Sequence, residues 1–129
     1  MMNTQKEFHA LVVEKDENVA GAVRKLLEDR DYRVTLLSSR EEAIRILKER
    51  LVSLTVAGEA EGSDSPFHIM KDIVMASPMT SMILLTDLPK QEVEDKAEGY
   101  GILGHVGRSV KSEEMTPLLD SFEKILGFF

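Results

Sequence analysis

A chain of 129 residues, 43% of them hydrophobic, can close one core but not two of ordinary size, so a single domain over 1–129 is expected. Its net charge of -7, from 16 Lys and Arg against 23 Asp and Glu, repels phosphate backbones and anionic lipid, which argues against direct nucleic-acid or membrane-surface binding. The absence of cysteine excludes a disulfide framework and a thiolate zinc site.

The opening Met1 to Glu7 is polar, and nothing approaches the run of about 18 apolar residues a membrane span requires. A soluble, cytoplasmic protein is the expectation. Phe8 to Val13 is a continuous apolar run, the pattern of a strand covered on both faces. From Glu14, Lys15 and Asp16 to Asp31, the residues Val19, Ala20, Val23, Leu26 and Leu27 recur at helical spacing and give one apolar stripe.

Tyr32 to Leu37 reads as a second strand. Ser39, followed three residues later by Glu42, fits a capping box opening a helix to Arg50 that buries Ala43, Ile44 and Leu47. Leu51 to Ala57 is the third expected strand. Glu59 to Ser65 is an acidic loop, and Asp64 or Ser65 caps a helix with Pro66 at its first position and Phe67, Met70, Ile73 and Val74 on its inner face. Met75, Met79 and Met82 read as core fillers or loop plugs.

Ser81 to Thr86 is a fourth strand, Pro89 to Glu98 an acidic helix, and Ile102 to Val106 a fifth strand among glycines. A last helix carries Met115, Leu118, Leu119, Phe122, Ile125 and Leu126. Pro117 leaves two starts open for it, Ser112 with a distorted turn or Thr116, because proline removes a helical hydrogen bond. Gly127, Phe128 and Phe129 form an apolar tail, suited to an interface or to the sheet.

Strand then helix, five times over, predicts an α/β fold with one doubly wound parallel sheet and helices on both faces. Its working site belongs at the carboxyl ends of the strands, which are Glu14 to Asp16, Gly58 and Glu59, Thr86 and Asp87, and Gly107 to Ser109.

Those strand ends resemble the CheY-like receiver domains of bacterial response regulators from about Ala10 to Leu126. The resemblance implies the strand order 2-1-3-4-5 and assigns roles by position. A metal-binding acid pair falls on Glu14 and Lys15, the phosphoryl-accepting aspartate on Gly58, and a Thr with its small neighbour on Thr86 and Asp87. A Lys-Pro pair falls on Arg108 and Ser109, and an aromatic switch on His105. The framework matches and the chemistry departs from it.

Glycine offers no nucleophile, and Lys15 puts a positive charge where a hard oxygen ligand belongs, so Mg²⁺ binding is expected to be weak or absent and no cofactor is called for. Two readings stand for the cations: Lys15 and Arg108 replace the metal by pairing with Glu14 and Glu59, or Lys15 faces solvent and Arg108 makes a surface pair. Without proline at Ser109 the preceding peptide should be trans and the loop rearranged. Thr86 either donates a hydrogen bond across the site or serves as a strand residue. His105 is a packed or half-exposed residue or the switch, and His9, His68 and His105 lack metal-ligand spacing.

The expected function is an atypical receiver-like module of phosphorelay signalling that acts by protein interaction, not an enzyme. Its partner would be a histidine kinase or another signalling protein, or a second copy docked through helix 4, strand 5 and helix 5. The acids Glu92, Glu94, Asp95 and Glu98 read as the wet face of helix 4 or as part of that surface. One alternative keeps phosphorylation, with Glu59 or Asp64 as a displaced acceptor and Glu14 and Asp16 as metal ligands. Another is a small-molecule binder, although no GxGxxG or P-loop string is present. The chain stops at Phe129 soon after the fifth helix, as in a stand-alone domain or one excised from a longer protein.

Overall fold

A computed structural model describes residues 8–126. The elements are β1 (His9–Val13), α1 (Glu17–Glu28), β2 (Arg33–Leu37), α2 (Arg40–Glu49), β3 (Leu54–Ala57), α3 (Pro66–Ala76), β4 (Ser81–Leu85), α4 (Lys90–Ala97), β5 (Gly104–Val106) and α5 (Ser112–Ile125). The strands form one five-stranded sheet in the order β2-β1-β3-β4-β5, and every pairing is parallel.

The strand period of two explains why the sequence shows apolar runs and not alternation. Leu11 and Val13 of β1 and Met82 and Leu84 of β4 pack with Leu47, Ile69, Met70, Ile73 and Val93, beneath α2, α3 and α4. Their neighbours Ala10, Val12, Ile83 and Leu85 face the opposite layer, with Val23, Leu27, Met115, Leu119 and Phe122 from α1 and α5. Both faces are covered, so both sets of side chains are apolar.

Local signals place most helix starts. Asp16 caps α1 by accepting from the N–H groups of Asn18 and Val19 at 2.9 and 3.1 Å. Ser39 accepts from Glu42 N–H at 3.1 Å, and Ser65, not Asp64, caps α3 by accepting from His68 N–H at 3.1 Å ahead of Pro66. Replacing Asp16 by alanine strands the two α1 donors and is expected to cost about 0.5–2 kcal/mol, read as a lower urea midpoint with unchanged slope.

Several boundaries and burials differ from expectation. β3 begins at Leu54, and Leu51, 76% exposed, lies outside the sheet. β5 begins at Gly104, and Ile102 and Leu103 lie outside it although Leu103 N–H already donates to Met82 O at 2.8 Å; Gly99 and Gly101 turn the approach at positive φ (87° and 69°). Met82 fills the core, but Met75 and Met79 are exposed at the end of α3 and in the turn beyond it. α5 starts at Ser112 and runs through Pro117, the first of the two starts left open; Ile125 at its end is exposed, as is its C-cap Leu126. The tail Gly127, Phe128 and Phe129 lies outside the described residues, as does the opening Met1 to Glu7.

One polar cluster fastens α5 to the start of β2. Glu123 accepts from Tyr32 Oη at 2.7 Å and from Arg30 at 2.9 Å, and Asp120 also accepts from Arg30 at 2.8 Å. Burial, reinforced by the bond to Glu123, raises the Tyr32 phenol above its ordinary pKa. The folded state therefore favours the neutral phenol, and this contribution is complete below pH of about 10 and declines as the pH rises above that value. Alkaline difference absorbance should show Tyr32 ionising with unfolding, and Tyr32→Phe should flatten the fall in stability above that pH.

Candidate functional site at the carboxyl ends of the strands

β1 delivers Glu14 directly into the cleft. Its side chain is wholly buried, and its carboxylate accepts from four donors. Oε1 accepts from Glu59 N–H at 3.0 Å and from Arg108 Nη1 at 2.8 Å. Oε2 accepts from Asp16 N–H at 2.9 Å and from Arg108 Nη2 at 2.8 Å. A forked pair of this kind combines two charge-assisted bonds with a fixed geometry.

Arg108, just beyond β5, thus crosses the carboxyl edge to reach β1, with its side chain only 17% exposed. The Glu14 carboxylate holds the guanidinium pKa above its ordinary value, against the opposing effect of burial. Arg108 therefore does not form the surface pair that one sequence reading allowed. Glu59 lies on the rim, its Oε1 3.6 Å from Arg108 Nη2 and its side chain half exposed.

Lys15 shares none of this. Side chains alternate along an extended segment, so the residue after buried Glu14 turns outward. Lys15 is exposed, and its backbone N–H donates to Glu59 O at 2.7 Å. The reading that paired Lys15 with Glu14 is corrected by that geometry; Arg108 alone makes the pairing.

Gly58 follows β3 at the bottom of the cleft, and its N–H donates to Val13 O at 2.9 Å. A Cβ at this position would overlap Glu14 Oε1 and stand 3.1 Å from both Arg108 Nη1 and Leu85 Cβ. The space an acidic side chain would need at position 58 is filled by the Glu14–Arg108 pair.

The loop after β5 carries further ties. Arg108 N–H donates to Asp87 Oδ1 at 2.8 Å, and Gly107 N–H donates to Glu114 Oε1 at 2.9 Å. Val110 ends the loop at φ 52°, a left-handed conformation that is rare for a β-branched residue, while its side chain enters the core. The peptide joining Arg108 to Ser109 is trans, and Ser109 is exposed in the turn. Asp87 and Glu114 were not singled out as anchors of this loop, because local spacing does not connect residues 87, 107 and 114.

Thr86 is buried, and its Oγ1 accepts from Leu88 N–H at 3.1 Å, so it shapes the β4–α4 loop. His105 is half-buried between two concavities. One, of about 440 Å³, is lined by Thr86, Asp87, Glu113, Glu114 and Pro117; the other, of about 470 Å³, by Val93, Ala97, Ile102 and Leu103. Asp64 is exposed and joins Lys15 and Glu59 around a smaller hollow of about 200 Å³. Among the described residues no helix is long and apolar enough to cross a membrane.

Sheet order, helix placement and the cleft at the strand ends together define the flavodoxin-like fold of receiver domains. The signal receiver domain of an HD domain-containing protein from Pseudomonas fluorescens is similar at 21% identity and TM-score 0.79, covering 96% of this chain and 92% of that one. A response regulator from Burkholderia pseudomallei, solved with a phosphorylated aspartic acid and a calcium ion, matches at 18% identity and TM-score 0.73, over 92% of this chain and 71% of that one. The receiver domain of a sensor histidine kinase from Pseudomonas aeruginosa, with magnesium in its active-site cleft, matches at 16% identity and TM-score 0.74, over 91% and 98%. No protein-family model matches the sequence, and no curated protein matches it.

Proposed function

We propose that this chain is a receiver-like signalling domain that works by protein interaction, without aspartyl phosphorylation and without catalysis of its own. The observation that carries the reading is the Glu14–Arg108 pair in the space beside Gly58. Phosphoryl transfer to a side chain needs a nucleophilic oxygen, and glycine supplies none.

The donor set also suits a divalent cation poorly. Mg²⁺ demands several hard oxygen ligands in near-octahedral array. Both Glu14 oxygens already accept two N–H donors each, and Arg108 places a full positive charge against them. Asp16 Oδ1 is engaged as the cap of α1, and Lys15 occupies the neighbouring position. Mg²⁺ affinity should accordingly be weak or absent.

A displaced acceptor is less well supported. Glu59 and Asp64 both face solvent, and the guanidinium nearest to Glu59 is committed to Glu14. Binding of a flavin or nucleotide is less well supported, since the two concavities around His105 are lined by no Phe, Tyr or Trp.

For the partner, a histidine kinase or another signalling protein, the supporting surface is the one along α4, β5 and α5. There Val93, Ala97, Ile102 and Leu103 line an apolar concavity, with Glu94 and Glu98 beside it. A second copy docking on the same face is the competing occupant, and size-exclusion chromatography with light scattering separates the two. The chemical half of the proposal is tested by intact-mass measurement after incubation with acetyl phosphate and Mg²⁺. The mass should not change. Gain of one phosphoryl group, abolished by Glu59→Ala or Asp64→Ala, would establish the displaced acceptor instead.

A further inference from the structure

The four groups that hold the Glu14 carboxylate make a recognisable anion receptor. Two are backbone N–H groups, of Asp16 and Glu59, from the loops after β1 and β3. The other two are the Nη groups of Arg108, arriving from beyond β5. Donors from three separate segments converge on one pair of oxygens, and the absence of a Cβ at Gly58 leaves room for those oxygens to sit there. Convergent amides with a guanidinium fork are general means of binding carboxylate or phosphate.

We propose that this cleft is an oxyanion pocket permanently filled by the chain's own Glu14, a tethered anion that keeps the β5–α5 loop in its anion-bound position. The proposal deepens the phosphate-independent reading and rests on it, because it supplies the reason no external anion is needed. The loop geometry supports the second part. Asp87 holds the Arg108 backbone, Glu114 holds Gly107, and Val110 adopts a disfavoured backbone conformation, as a segment does when its surroundings over-determine it. Arg108 is the member of that loop that reads the anion.

The test is chemical rescue. Glu14→Ala removes four heavy atoms, Cγ, Cδ and the two carboxylate oxygens, and acetate has the same four. In the full-length variant, acetate should raise Tm with the logarithm of its concentration once above its apparent Kd, by about 4 °C or more at about ten times that Kd, beyond its effect on the wild type and beyond chloride at equal ionic strength. Phosphate forms the second arm, and a preference for it over acetate would assign the pocket to tetrahedral oxyanions. The Glu14→Ala, Arg108→Met double variant should lose the rescue by either anion.

Amide exchange gives an independent readout. Protection of Gly107, Arg108 and Val110 should fall at least about tenfold in Glu14→Ala, while the β1 and β3 amides hold, and acetate should restore it. If Glu14→Ala is unfolded in chloride, folding on addition of acetate supports the proposal, and failure to fold in either salt overturns it. A folded Glu14→Ala that neither anion stabilises beyond the wild type also overturns it. Phosphorylation of the wild type at another residue would refute the proposed function while leaving the rescue result intact, so the two failures are distinguishable.

Discussion

Introducing aspartate by Gly58→Asp is expected to destabilise the domain and not to create a phosphoacceptor. The new Cβ overlaps Glu14 Oε1 and crowds Arg108 Nη1 and Leu85 Cβ, and neither a Cβ fixed to the end of β4 nor a four-bonded carboxylate yields cheaply. Overpacking of this kind costs about 1–3 kcal/mol. A second carboxylate beside buried Glu14 adds like-charge repulsion on top. Urea denaturation should show the lower midpoint, and incubation with a phosphodonor should leave the mass unchanged. Adding Glu14→Ala vacates the contested space, so the two substitutions should be non-additive by about 1 kcal/mol or more.

Removing the cation should cost more. Arg108→Ala leaves the wholly buried Glu14 with its two backbone donors and no counter-charge. Breaking a buried pair from one side costs about 3–5 kcal/mol, because the remaining charge keeps its desolvation penalty. The exposed pair of Lys90 and Glu94, 3.8 Å apart on α4, is the internal comparison. Lys90→Ala should change stability by about 0–0.5 kcal/mol. Arg108→Lys retains charge without the fork and should fall between the two. Equal costs for Arg108→Ala and Lys90→Ala in denaturant titration would mean that the cleft pair contributes no more than a surface contact.

Much of the architecture was legible because the sheet is covered on both faces. Runs such as Leu11 to Val13 and Met82 to Leu85 point alternately into two apolar layers, which leaves an unbroken apolar signature in the sequence. The helix start at Ser39, and the one at Ser65 within a choice of two residues, were legible for a different reason, since a cap is a bond between residues three apart; the Asp16 cap of α1 is of the same kind but was not read. Leu51 and Ile102 were read into strands because they are apolar, yet strand limits are set by pairing partners that composition does not reveal.

The site was legible by position and less so by geometry. Resemblance placed Glu14, Gly58 and Arg108 at three strand ends, and the fold brings all three together. It placed Lys15 there too, but the alternation of an extended chain turns that side chain outward. Asp87 was placed at a strand end but not as an anchor, and Glu114 was not singled out, because their partners are backbone N–H groups in a loop whose course depends on Arg108 crossing 94 positions of sequence to meet Glu14.

The most direct test of a cleft that is already occupied is a titration of the ¹⁵N-labelled wild-type protein with Mg²⁺ and then beryllofluoride, following the amides of Asp16, Gly58, Glu59 and Arg108. An already occupied cleft leaves these resonances in place through millimolar additions. Saturable shifts at Gly58 and Glu59, with release of Arg108 from Glu14, would contradict it.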